Sequence, residues 1–226
     1  MALLSFAESH DNHSTVDVYT AVREHVLKRF VDIALSIFMM MLAVPVFLPV
    51  ALAIKLEDGG PVFYRQERWG LKGRKFRAYK FRTMVPDSDE KYGVIQARED
   101  DDRITKTGRI LRAMGLDELP QIFNILLGQM SFVGPRSLAV GEIVRDENGQ
   151  VVEYETIPGF RERLLVRPGL TGLATIYIRK DAAPRRKFRY DLFYVRNQSL
   201  LLDLKLIALS FWISFRGKWE TRGEKV

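Results

Sequence analysis

The chain has 226 residues, room for one sizeable domain with a full core. Its 35 Lys and Arg outweigh 28 Asp and Glu, and the net charge of +7 favours nucleotide phosphates, nucleic acid or an acidic membrane as partners. There is no cysteine, and all three histidines (His10, His13, His25) lie near the start, so thiolate chemistry, cysteine metal sites and a Ser-His unit in the body of the chain are excluded.

Met1 to Phe6 has no basic n-region and turns polar at once, unlike a signal peptide. Ile33 to Ile54 carries no charge over 22 positions. At about 1.5 Å per residue a straight helix of that length would cross a hydrocarbon core of roughly 30 Å. Pro45 and Pro49 interrupt it past the middle, where each removes a helix hydrogen bond, so a kink or break is expected near Val44-Pro45. Both flanks are cationic: Arg23, Lys28 and Arg29 before, Lys55, Arg65 and Arg68 after. Cationic flanks prefer the cytoplasmic side, and a hairpin that dips in and returns satisfies both ends. Composition leaves the spanning and re-entrant forms open.

Residues 61–84 read as a strand hairpin around the turn-rich Gly70 to Gly73, with cations interleaved among aromatics from Lys75 to Arg82. Single-strand nucleic-acid binders use such strands, and so does a basic face beside an anionic membrane. Residues 86–103 read as an acidic loop. Its Asp100-Asp101-Asp102 run is a solvated loop or a metal site of the DxD kind.

A helix is expected from Thr107 to about Met114, with Arg109 and Arg112 on one face. A second begins near Asp117, tolerates Pro120 in its first turn and ends at Gly128. Asp117-Glu118 can be an N-cap with a first-turn acid. The same pair can be an ionised nucleophile beside a group that holds a divalent ion. Gly134-Pro135-Arg136 and Arg167 to Gly172 read as tight turns, each offering an arginine to a phosphate. No Walker A or GxGxxG pattern occurs. From Ser199 an apolar helix carries Ser199, Asp203, Ser210 and Ser214 on one narrow polar stripe, which suits packing partly on a core and partly among lipid headgroups.

In this order the segments resemble the monotopic phosphoglycosyl transferases, the bacterial sugar transferase family. The matching residues begin with Lys28-Arg29-x-x-Asp32, Pro45, Gly60-Pro61-Val62-Phe63, Gln66-x-Arg68-x-Gly70 and Tyr79 to Met84. They continue with Asp102 to Thr105, Leu111-Arg112, Leu116 to Gln121, Gly128 to Arg136, Arg167 to Gly172, Asp191, Tyr194-Val195 and Asp203-Leu204-Lys205. The resemblance covers about residues 28–212. It implies transfer of a sugar-1-phosphate from a UDP-sugar to undecaprenyl phosphate with release of UMP, the first membrane step of a surface glycan.

The implied fold is α+β and monotopic, with a proline-broken re-entrant helix, a basic β-hairpin and amphipathic helices in the plane of the inner leaflet of the bacterial cytoplasmic membrane. The expected divisions are an extension (1–27), the membrane helix (28–56), a cytosolic catalytic domain (57–198) and a C-terminal helix and tail (199–226). The resemblance makes Asp117 the nucleophile and Glu118 the Mg²⁺ holder. It assigns Arg112, Arg136, Arg167, Gly169, Thr171, Lys80, Arg82 and Asp191 to substrate and phosphate, and Pro45 to the helix break. The expected partners are the two substrates and inner-leaflet phospholipids, without nucleic acid; a homodimer is left open.

Ser137 departs from the family's second proline, and Leu173 to Arg179 departs from its Trp-Ala-Gln-Val-type run. Two other functions compete: a membrane-tethered nucleic-acid binder without catalysis, and an ordinary glycosyltransferase that releases UDP through Asp100–Asp102.

Overall fold

The computed structural model describes residues 26–93, 101–146, 149–179 and 182–216. Most of the expected N-terminal extension, Asp100 and the tail beyond Arg216 lie outside the described residues.

Helix α1, Val26–Asp58, is the one helix among the described residues long and apolar enough to cross a membrane. It runs through both Pro45 and Pro49, so of the kink or break expected near Val44-Pro45 a full break does not occur. Each proline deletes one donor and crowds one turn, a local cost that the apolar turns on either side outlast. Its buried residues, Asp32, Ser36, Ala43, Val50 and Ile54, fall on one stripe. Phe30, Ile37, Phe38, Met41, Leu48 and Leu52 are exposed.

Both ends of α1 are fastened to the same body. Near its start Lys28 meets Asp203 at 2.7 Å, and Asp32 Oδ1 accepts from the Ser131 hydroxyl at 3.0 Å and the Phe132 amide at 3.1 Å. At its end Glu57 accepts from the Lys106 and Thr107 amides, and Asp58 takes a two-pronged pair from Arg82.

Strands β1 (Phe63–Trp69) and β2 (Lys75–Phe81) form the expected antiparallel hairpin. The register sets Tyr64, Gln66 and Arg68 opposite Lys80, Ala78 and Phe76, so these six share one face. Phe76 and Ala78 pack into a core with Ile125, Met130, Phe132, Tyr194 and Leu206, which places Lys80 on the inward side. On the other face Phe63 and Phe81 stack at 5.5 Å, and Phe47 of α1 meets Phe81 edge-on at 4.9 Å.

The acidic segment contains a short helix, α2 (Ser88–Tyr92). Helix α3 (Lys106–Met114) is capped by the Thr105 hydroxyl and ended by left-handed Gly115. A tight turn, Leu116–Glu118, then leads into α4, Gln121–Leu126. Strand β3 (Ser131–Val133) pairs in parallel with β6 (Gly169–Thr171), so the expected turn at Arg167 to Gly172 is instead a strand. Side chains are forbidden where they meet: a Cβ on Gly134 would lie 2.4 Å from the Arg167 carbonyl, and one on Gly169 2.1 Å from the Gly134 amide.

Between β3 and β6 lie a small hairpin, β4 (Ile143–Arg145) with β5 (Val151–Glu153), and helix α5, Phe160–Arg163. After β6 come α6 (Leu173–Tyr177), α7 (Pro184–Asn197) and α8 (Leu200–Phe215). The polar stripe of α8 faces the protein: Asp203 binds Lys28 and Tyr194, and Ser210 donates to Thr171 Oγ1 at 2.6 Å. Its outward face carries Leu201, Leu204, Phe211, Trp212 and Phe215. The α+β class is as expected, with every sheet among the described residues only two strands wide.

Candidate active site

A cavity of about 410 Å³ opens between the inward face of the β1–β2 hairpin, the Leu116–Glu118 turn, the Gly-Pro-Arg loop and helices α6 and α7. That volume lies in the range of small-molecule sites. Asp117 and Glu118 both line it and both are buried. The N-cap positions of this turn and of α4 are Gly115 and Pro120, so neither acid is the N-cap, and both lie in the first turn. The turn directs them toward Lys80, whose Nζ stands 2.5 Å from Glu118 Oε1 and 3.7 Å from Asp117 Oδ2. Burial alone would raise the Glu118 pKa. Lys80 overcomes this, with Arg136 and Arg68 adding to it, and brings it down to about 2. Glu118 is therefore held as a carboxylate.

Arg112 and Arg136 line the same cavity, as the sequence suggested. Asp191 also lines it, but its carboxylate is engaged by Arg163 at 2.5 Å. Burial raises the Asp191 pKa and Arg163 opposes the rise. The Arg163 guanidinium also donates to the Arg136 carbonyl at 2.7 Å. Asp191 thus aligns Arg163, and through it the loop that carries Arg136.

Four of the expected substrate contacts have protein partners or lie off the cavity wall. Arg82 borders the cavity, but its guanidinium serves Asp58, the Pro61 carbonyl at 2.6 Å and the Met84 carbonyl at 2.9 Å. It joins the end of α1 to β2. Arg167 does not line the cavity, and its Nε donates to the Gly128 carbonyl at 2.7 Å. Gly169 is the contact point of two backbones, and Thr171 bonds α8. These three build the scaffold behind Arg136.

Arg68 is a cationic wall residue not assigned from sequence, as are Arg163, Arg179 and Lys187. It is 8 % exposed and donates to the Ser137 carbonyl at 2.6 Å, the Ser137 hydroxyl at 3.1 Å and Gln66 at 2.8 Å. The signal was its period: Arg68 shares a strand face with Lys80. Ser137, a departure from the family pattern, supplies a hydroxyl acceptor that proline lacks. Of the other departure, Ala174, Thr175, Ile178 and Arg179 reach the cavity wall.

Elsewhere, Asp101 is held by Arg103 at 2.7 Å and lies outside the cavity wall, which removes support from a DxD metal site. No cluster of three or more metal-ligating His, Asp or Glu occurs among the described residues. The Asp117-Glu118 pair fits an ion that keeps its waters and shares substrate phosphates, as Mg²⁺ does, and does not fit an all-protein metal cage.

Residues 23–217 match the family model described as bacterial sugar transferase. The chain is 42 % identical over 199 residues to a UDP-glucose:undecaprenyl-phosphate glucose-1-phosphate transferase of Klebsiella pneumoniae, covering 85 % of this chain and 41 % of that protein. It is 41 % identical over 187 residues to the exopolysaccharide production protein PSS of Rhizobium leguminosarum bv. phaseoli, covering 80 % of this chain and 92 % of the relative. A UDP-N-acetylgalactosamine-undecaprenyl-phosphate N-acetylgalactosaminephosphotransferase of Aeromonas hydrophila is 37 % identical over 185 residues, covering 80 % of this chain and 42 % of that protein. The chain thus spans less than half of two of these relatives and nearly all of the third. With the family model matching most of its length, the chain belongs to the bacterial sugar transferase family.

Proposed function

We propose that the protein transfers a sugar-1-phosphate from a UDP-sugar to undecaprenyl phosphate, yielding undecaprenyl-diphosphate-sugar and UMP at the start of a surface glycan. One observation carries this reading: a buried Asp117 shares a cation-walled cavity with Glu118, Lys80, Arg112 and Arg136, beside a long apolar helix. In the first step an Asp117 oxygen attacks the phosphorus that bears the sugar. The bond from that phosphorus to the oxygen bridging the two phosphates breaks, and UMP leaves with that oxygen. In the second step a phosphate oxygen of the polyprenyl acceptor attacks the aspartyl phosphosugar and restores the Asp117 carboxylate.

Lys80 and the arginines offset phosphate charge that would otherwise repel a carboxylate nucleophile, and the fixed turn positions Asp117 for attack. Glu118 would hold Mg²⁺, which supplies Lewis-acid neutralisation of the phosphates when bound.

The protein is read as re-entrant in the inner leaflet with its catalytic body on the cytoplasmic face. Support comes from α1, whose two ends both bond the same body. An ordinary span would carry one end to the far side of the bilayer. The exposed apolar residues of α1, α4 and α8 suit contact with lipid.

The nucleic-acid reading is weaker. Lys80 and Arg82 turn inward to carboxylates, while Arg65 covers Tyr79 at 5.4 Å and Lys75 covers Trp69 at 5.2 Å, so these aromatic faces are engaged within the hairpin. The test is a screen of UDP-sugars with undecaprenyl phosphate and Mg²⁺, reading the nucleotide released. UMP from wild type and none from Asp117→Asn, checked for amide hydrolysis, is expected. Release of UDP, or near-normal UMP from Asp117→Asn, would refute the assignment.

A further inference from the structure

Beyond the carboxylates the cavity has a second polar wall, at the base of the β4–β5 hairpin. Glu142 immediately precedes β4 and Tyr154 immediately follows β5. The hairpin pairs Ile143 with Glu153, so one step outward its register sets Glu142 opposite Tyr154. Residues opposed in this way project to the same side. Both residues line the cavity, and the Glu142 carboxylate acts electrostatically on the Tyr154 phenol.

Tyr154 is 4 % exposed, and its ring stacks on Phe188 at 5.9 Å within a cluster that includes Leu138, Ile157 and Phe160. Its hydroxyl has no hydrogen-bond partner among the described residues, yet the residue lines the cavity. The hydroxyl is not among the fully buried unpartnered atoms, so it opens onto the cavity, where a ligand can meet it. Glu142 is fixed through the Ala139 amide, which donates to its Oε2 at 3.3 Å. Arg136 and Arg68 act electrostatically on both Glu118 and Tyr154, so the phosphate-facing cations adjoin this wall. The wall thus offers one anchored carboxylate acceptor and one rigid phenol donor next to where the sugar-bearing phosphate would sit.

We propose that Glu142 and Tyr154 bind the sugar of the donor, Glu142 accepting hydrogen bonds from its hydroxyls and Tyr154 donating one to a sugar oxygen. This rests on the cavity taking a nucleotide sugar. The pair selects a neutral hexose with free hydroxyls, and Glu142 repels a uronic acid. The hydrogen bond to a charged acceptor contributes more selectivity than the neutral one.

The test compares binding of UDP and of UDP-sugars by calorimetry, using full-length protein in nanodiscs and an Asp117→Asn background so that no donor is consumed. Turnover is measured alongside in proteins that retain Asp117. The expected result is that Tyr154→Phe weakens the preferred UDP-hexose by roughly three- to tenfold and Glu142→Gln by roughly ten- to a hundredfold. UDP itself should bind both variants within about twofold of the parent. Glu142→Gln should also narrow the gap between the UDP-hexose and UDP-glucuronate. An unchanged ratio of UDP to UDP-hexose affinity in both variants would overturn the pairing. Equal weakening of UDP and UDP-hexose would also overturn it, because that outcome marks a purely structural role. Absence of UMP release by the otherwise wild-type protein from every donor would refute the transferase reading, and the binding ratios would still decide whether this wall reads a sugar.

Discussion

The Lys80 ammonium lies 2.5 Å from the Glu118 carboxylate, joining the inward face of β2 to the turn that carries the nucleophile candidate. A buried carboxylate kept charged by a lysine is a stability element as well as a candidate catalytic one. The folded-state pKa of Glu118 is depressed from an ordinary 4.5 to about 2. Its contribution to stability is therefore complete above about 4.5 and is lost as pH falls toward about 2. Lys80→Met should move the acid-side loss to higher pH, since burial then acts on Glu118 with less opposition. Melting temperature against pH for both proteins measures this, and superimposable acid limbs would count against the pair. UMP release by the variant should fall by about 100-fold or more.

Arg82 makes a different prediction, because its donors are committed to Asp58 and two carbonyls. Arg82→Ala removes the guanidinium bonds to Asp58, which is exposed and keeps the Gly60 amide, and to two carbonyls, and should destabilise the protein by about 2 kcal/mol. The effect should be carried by folded fraction, with the donor KM of the surviving folded enzyme little changed. A large rise in donor KM at full folding would restore Arg82 to the phosphate site.

Much of this site was legible in the sequence because its chemistry sits in short segments. Asp117, Glu118, Arg112 and Arg136 all reach one cavity. The other assignments show where motif reading stops. Arg82, Arg167, Gly169 and Thr171 sit in motifs as distinctive as the catalytic ones, but a motif does not say which way a side chain points. Arg82 lies one strand step beyond Lys80 on the same face, and the position of Asp58, brought back by α1, gives its guanidinium a protein partner. The polar stripe of α8 was visible by its period. Its inward direction was not, because Lys28, 175 residues away, decides it. Tyr154 and Glu142 belong to no recognised motif and become visible only when the hairpin register sets them opposite one another.

The glycines behind Arg136 give a structural test. A Cβ on Gly169 would meet the Gly134 amide at 2.1 Å and the Thr171 carbonyl at 2.3 Å. Both obstacles are backbone, so no side chain can rotate aside. Gly169→Ala should destabilise by at least about 3 kcal/mol through overpacking, and the β3–β6 pairing should give way. Gly73→Ala is the contrast: nothing lies near its Cβ, and only its φ of +74° opposes the change. Its cost should be about 1 kcal/mol. Equal thermal shifts for the two variants would contradict this account.

The inward anchor of α8 can be tested at Asp203, which is buried and bonded to both Lys28 and Tyr194. Asp203→Asn keeps the shape but leaves the Lys28 ammonium without its counter-charge. The expected loss is about 3 kcal/mol or more. Adding Lys28→Met should recover part of it, since the uncompensated charge is then gone. Additive losses in the double variant would show that the two residues act separately.

Topology is the last and most discriminating test, and the absence of native cysteine makes it clean. Val26 is 85 % exposed at the start of α1, and Lys72 is exposed in the turn after β1. Single cysteines at either position should resist an impermeant thiol reagent applied to intact cells and react after lysis. Labelling at position 26 alone from outside would establish a simple span. Pro45→Ala restores a helix donor and removes the crowding of its turn, and the apolar run is long enough to cross a bilayer. Even so, the variant should keep both positions shielded. Reversal would have to break Lys28–Asp203 and the Asp32 bonds to Ser131 and Phe132 at one end while Glu57 and Asp58 hold the other. Only when Pro45→Ala is combined with Lys28→Met and Asp32→Ala should position 26 become reactive from outside. Exposure in Pro45→Ala alone would mean that the prolines set the topology; protection in the triple variant would mean that these N-terminal tethers do not.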